Sequence, residues 1–128
     1  MPITFDLDRE RRQLRTTIRG PIAFADVQAH IDAIVAADAL GYSDLVDATA
    51  AGGPGLFSGD IRKIAQLMGT LRKESTIGPR AIVVTSNAAY GMVRMLAVLA
   101  SAWVTVEAFR DRGAAEAWLR GFAPRTGA

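Results

Sequence analysis

The run Ala81-Ile82-Val83-Val84 constrains the fold of this chain more than any other stretch. Successive apolar residues leave neither face of a strand for water. Gly78-Pro79 before the run and Ser86-Asn87 after it mark its ends. A strand of this composition fits a parallel sheet covered by helices on both faces. Parallel neighbours need crossover connections, so helical segments are expected on either side of it in the sequence.

The flanking periodicities agree. Ile3, Phe5 and Leu7 alternate with Thr4, Asp6 and Asp8, and Leu14, Thr16 and Ile18 alternate with Arg15, Thr17 and Arg19. These are half-buried strands, and the short polar link Arg9–Arg12 makes them an antiparallel hairpin, ended by Gly20-Pro21. From Ala23 to Asp38 the period becomes helical, with Val27, Ile31, Ile34 and Val35 as the apolar stripe and Leu40-Gly41 as its stop. Leu45-Val46 reads as a short buried strand ending at Asp47, followed by a Gly-rich loop over Ala50–Gly55. Ser58 is placed to cap a second helix, with Asp60 at its positive end and Ile61, Ile64, Ala65, Met68 and Leu71 as its stripe. Ser86 or Asn87 caps a third helix. Trp103–Phe109 reads as a strand, and Asp111 caps a last helix bearing Ala115, Trp118 and Leu119. The expected fold class is α/β: a small mixed, mostly parallel sheet in the order β-β-α-β-α-β-α-β-α. One domain over residues 1–123 is expected, with 124–128 as a flexible tail.

Composition narrows the function classes. The chain has 128 residues, half of them hydrophobic and 22% charged, which suits one ordinary globular core. It has no Cys, so disulfides, thiolate metal sites and Cys nucleophiles are excluded, and a reducing, cytoplasmic location is expected. The start, Met-Pro-Ile-Thr-Phe-Asp, lacks a basic region followed by an apolar segment, so no secretory signal is expected. The longest uncharged apolar stretch, Met95–Val106, is shorter than the roughly 20 residues a bilayer requires. Net charge is only +2. Arg9, Arg11, Arg12, Arg15 and Arg19 cluster, but Asp6, Asp8 and Glu10 lie among them, so a solvated hairpin explains them without a nucleic-acid partner.

No motif completes a catalytic or metal constellation. The spacing of Asp6, Asp8 and Glu10 begins like a calcium loop, but Arg11 stands where Gly is needed and Thr17 where Glu is needed. His30 is the sole His, and its place off the apolar stripe predicts a surface residue. The loop Gly52–Ser58 nearly fits a GxGxxG pattern, but Ser58 replaces the third Gly and Pro54 withholds an amide. An anion at the following helix start, or a plain loop with a capping Ser, fits better. No cofactor is expected.

The third helix carries the most information about function. Met92, Val93, Met95, Leu96, Val98 and Leu99 make it apolar nearly all round, and Arg94 is the only charge between Ala88 and Trp103. Such a helix needs cover on several sides, from a twin subunit or around an apolar pocket, and Met92 and Met95 suit either. Arg94 must reach water, pair with an acid such as Asp47, or meet an anionic ligand or partner. Asn87 and Tyr90 lie about a turn earlier and are placed to line the same cleft.

Three local motifs resemble a known group. Leu45-Val46-Asp47 resembles the strand-ending Asp before the central loop of STAS domains (sulfate transporter and anti-sigma-factor antagonist). Tyr90-Gly91-Met92-Val93-Arg94-Met95 is similar to the third-helix pattern of the bacterial branch called stage II sporulation protein AA-like, often compared with SEC14-type lipid-binding domains. Phe109-Arg110-Asp111, with Ala115 and Trp118-Leu119, resembles that branch's ending. The resemblance spans Ile3 to Phe122 and implies a regulatory or binding module, not a reaction. It also implies a phosphorylated Ser at the start of the second helix, the position of Ser58. The family's phosphosite reads Asp-Ser-Ser-Gly or Asp-Ser-Thr-Gly, whereas this chain has Leu56-Phe57-Ser58-Gly59.

The expectation is therefore a non-enzymatic STAS-like module, homodimeric through its third helix. It would contact a regulatory protein or a small amphipathic or anionic ligand through Asp47, Ser58, Asn87, Tyr90, Met92 and Arg94. Two alternatives stand beside it: a small hydrolase or transferase using Asp47 as base and Ser58 as nucleophile, and a structural homodimer without a ligand.

Overall fold

A computed structural model describes residues 2–52, 56 and 58–122, the side chain of Ser58 excepted. The predicted tail over 124–128 and residues 53–55 of the Gly-rich loop lie outside the described residues.

The elements follow the expected order. They are β1 (Ile3–Asp8), β2 (Gln13–Arg19), α1 (Phe24–Ala36), β3 (Ser43–Ala50), α2 (Ser58–Arg72), β4 (Arg80–Val83), α3 (Asn87–Leu99), β5 (Val106–Phe109) and α4 (Arg112–Arg120). The five strands lie side by side in chain order, with β1 antiparallel to β2 and each later pair parallel.

Period-two alternation sorts the side chains between two cores. Leu14 and Val106 face α1, α2 and α3, where Ile31, Ile34, Ile61, Ile64 and Met68 close the larger core. Leu45, Ala81 and Val83 point the other way, onto Ala115 and Leu119 of α4. The apolar run of β4 is thus covered on both faces.

Caps follow sequence chemistry. Ser86 Oγ accepts from the Ala89 amide at 3.0 Å and starts α3, and Asp111 Oδ2 accepts from the Ala114 amide at 2.9 Å and starts α4. At α1 the Asp26 carboxylate accepts from the Ala23 amide at 2.8 Å, and Asp38, in left-handed backbone at φ 56°, ends the last turn.

Two boundaries differ from the sequence reading. β3 runs the full length of Ser43–Ala50, because it is paired on both sides and the ladder holds its polar residues as well as Leu45-Val46. β5 starts at Val106, not Trp103. The amides of Trp103 and Val104 donate to the Ala100 carbonyl at 2.9 and 3.0 Å, so they are spent on the turn that ends α3.

One glycine is fixed by a close approach. A Cβ on Gly78 would collide with the Tyr42 carbonyl. The segments entering β3 and β4 cross here. The Gly78 amide donates to Leu40 O at 3.0 Å, and the Asp44 amide donates to Pro79 O at 2.9 Å.

Candidate binding cavity

Between the sheet and α1–α3 lies a cavity of about 660 Å³, within the range of small-molecule sites. Its walls are apolar, with Val46 and Ile82 from the sheet and Ile31, Ile64, Met92 and Leu96 from the helices. Of the exposed lining residues, Pro21, Ala51, Gly52, Thr85 and Ser86 follow the C-terminal ends of β2, β3 and β4, and Ala88 lies in the first turn of α3. The mouth therefore opens at the edge of the sheet where ligands of open α/β folds usually enter.

The opposite end is polar and buried. Asp44 is 2% exposed and stands directly across the β3–β4 ladder from Arg80, which is 9% exposed. Thr16, from β2, donates its hydroxyl to Asp44 Oδ1 at 2.9 Å. The Arg80 guanidinium donates through Nη1 to the carbonyls of Tyr42 (2.7 Å) and Gly78 (2.9 Å), and through Nη2 to that of Leu40 (3.4 Å). The crossing enabled by Gly78 thus builds the carbonyl cradle that holds Arg80. Burial pushes the Asp44 carboxyl above its ordinary range, while Arg80's charge and the Thr16 bond pull it back. Burial likewise pulls Arg80 down, and Asp44 opposes that.

His30 also lines the cavity, which corrects the expected surface position. It packs edge-on against Phe5, with ring centroids 5.3 Å apart, and its Nδ1 is shielded from solvent without a hydrogen-bond partner. Burial first, and Arg80's positive charge second, lower its pKa to about 4, so the ring is neutral at pH 7. The physical reason lies in the helix. Val27, His30 and Ile34 fall at i, i+3 and i+7, so His30 sits on the apolar stripe itself.

The residues proposed from sequence do not converge on one place. Met92 lines the cavity. Asp47 lies on the α4 side of the sheet, the face opposite α2. There its Oδ1 accepts from the Thr49 amide (3.0 Å) and hydroxyl (2.6 Å), with Arg112 at 3.8 Å. The Thr49 bonds, with help from Arg112 and Arg19, hold its carboxyl below the ordinary range. Asn87 and Tyr90 come together around Arg110, which the sequence reading quoted in the ending motif but did not place in the site. Its Nη2 donates to Asn87 Oδ1 at 2.7 Å, and its guanidinium lies 4.5 Å from the Tyr90 ring centre. Arg94 is exposed, with no hydrogen bond or ion pair among the described residues, so its charge is met by water. Ser58 is the first residue of α2, and its side chain lies outside the described residues.

Thr16, Asp44 and Arg80 were missed for different reasons. Thr16 stands on the inward phase of its strand, between Leu14 and Ile18, and could have been found. Asp44 and Arg80 each abut an apolar strand run, but only the register between distant strands makes them neighbours.

Among the described residues there is no group of three metal-ligating side chains, and no helix is long and apolar enough to cross a membrane. No protein-family model matches the chain, and no curated protein matches it. Among solved structures, the chain is similar to the crystal structure of an uncharacterized protein of the DUF3478 family, with a SpoIIAA-like fold, from Shewanella loihica PV-4. The two share 19% identity over 91% of this chain and 93% of that one, with a TM-score of 0.63. The chain has a SpoIIAA-like, STAS-like fold, as its motifs led one to expect.

Proposed function

We propose that this protein is a non-enzymatic binding module that takes a small amphipathic molecule into the cavity beneath α1–α3. The observation that carries this reading is the cavity itself: apolar walls, a buried polar end, and a mouth at the C-terminal edge of the sheet. A site with these features buries most of a ligand's apolar surface and orients it with few polar groups. Asp47 and Ser58 support an enzymatic reading less well. Asp47 is committed to Thr49 and Arg112 and lies across the sheet from α2, and a carboxyl held below its ordinary pKa is a poor general base.

Native mass spectrometry of freshly purified protein tests the proposal. The expected result is a small-molecule adduct that denaturation releases and that Ala89→Trp, which fills the cavity wall, excludes. Wild-type protein that carries no adduct and takes up no apolar probe would sink the reading. A phosphate-sized increase that survives denaturation is the mark of the Ser58 modification implied by the family resemblance.

A second reading concerns assembly. α3 is apolar yet contains no fully buried residue, and Val98 is 73% exposed. This supports a homodimer formed through α3, compatible with a ligand in the cavity.

A further inference from the structure

The polar end of the cavity is not closed on itself, because one of its atoms is unused. Asp44 Oδ1 is taken by Thr16, whereas Oδ2 has no hydrogen-bond partner among the described residues, and no contact within 4 Å joins the carboxylate to Arg80. Among the described residues His30 Nδ1 is the one fully shielded side-chain nitrogen or oxygen without a partner, so Asp44 Oδ2 keeps access to the open space of the cavity. Arg80, beside it, gives Nη1 and Nη2 to backbone carbonyls and leaves Nε without a protein acceptor among the described residues. Asp44 and Arg80 both lie on the cavity wall. The cavity therefore ends in an acceptor and a donor set side by side.

We infer that the cavity selects an uncharged, hydroxyl-bearing apolar molecule that enters hydroxyl first and donates to Asp44 at the buried end. This rests on the reading of the cavity as a binding site. Charge decides the class. A ligand carboxylate would set a second acidic group against Asp44, and an ammonium would meet Arg80, each with the added cost of burying an ion. An alcohol donates to the carboxylate, offers its own lone pairs to Arg80, and leaves its chain against Ile31, Val46, Ile64 and Ile82. Its far end then lies at the mouth, where the exposed residues are.

The test is displacement of the neutral fluorophore N-phenyl-1-naphthylamine from the full chain by n-decanol, decyl methyl ether and decanoate. The ether keeps the oxygen and replaces the donated hydrogen with a methyl group. Decanol is expected to compete about tenfold or more better than either, the worth of a hydrogen bond to a charged acceptor. In Asp44→Asn the fluorophore is expected still to bind, while the preference for alcohol over ether falls towards unity. Equal competition by alcohol and ether in the wild type would overturn the inference and leave the cavity reading intact. So would a preference that survives Asp44→Asn, since the hydroxyl would then lie at the mouth. If Asp44→Asn does not fold, the wild-type series decides alone. A fluorophore that fails to bind at all, with no adduct in the mass spectrum, defeats the cavity reading instead.

Discussion

At the scale of single residues, the buried end of the cavity dominates the energetics. Removing Arg80 strands the Asp44 charge and three backbone carbonyls, so Arg80→Met is expected to cost about 3–5 kcal/mol, read from urea denaturation. The double variant Asp44→Asn/Arg80→Met is expected to cost less than the two single changes added, because neither charge is then left alone. His30 makes stability depend on pH with a definite sign. The unfolded chain takes up its proton near pH 6.5, whereas the folded chain resists until about pH 4. The unfolded state therefore binds more protons between those values, and stability falls as pH drops through that window. Asp44, shifted upward, acts in the opposite sense, so the clean measurement is a difference. His30→Leu is expected to lose less stability than wild type between pH 7 and pH 4.5, in parallel urea titrations. Equal losses would show that the ring is solvated. The same residue shows the limits of reading helical phase: at i+3 from Val27 it was placed to be seen, and its polarity concealed its burial.

At the scale of elements, the connections matter most. Gly78→Ala forces a methyl group into the Tyr42 carbonyl, where backbone meets backbone and neither can yield cheaply. The expected cost is about 3 kcal/mol, near the upper end for overpacking, measurable as a lower denaturant midpoint. Ser86→Ala removes the side-chain cap of α3 and is expected to cost about 1 kcal/mol by the same assay. Element order was legible because the hydrophobic period changes from two to helical at each junction, with Gly-Pro or a capping residue at the break. Strand register was not. The pairing of Asp44 with Arg80 depends on how two strands separated by all of α2 align, and no local pattern encodes that. The ends of β3 and β5 went astray for a related reason, since pairing and turn hydrogen bonds fixed them.

For the whole molecule, the asymmetry of the sheet organises both the candidate site and the assembly. Three helices cover one face and enclose the cavity, and α3 at their edge keeps apolar surface towards solvent. If two copies meet there, Val98→Asp is expected to convert a dimer to a monomer in light scattering without lowering the melting temperature of the monomer. A wild-type monomer at high concentration would remove the dimer reading. The SpoIIAA-like fold was legible from motifs spread along the chain. The candidate site was only partly so: Met92 was placed correctly, but the cavity's polar end belongs to residues that each look like ordinary strand positions.

The outer face of the sheet has a different history from the inner one. Leu45, Ala81 and Val83 wait for α4, the last element in chain order and, among the described residues, the one that closes the second core. On a ribosome, where segments emerge from the N-terminus onward, the inner core can assemble while this apolar strip is still wet. The nascent chain therefore stays sticky until α4 has emerged. A premature stop before Arg112 would yield a product with most of its sheet built and one side of it permanently open to aggregation.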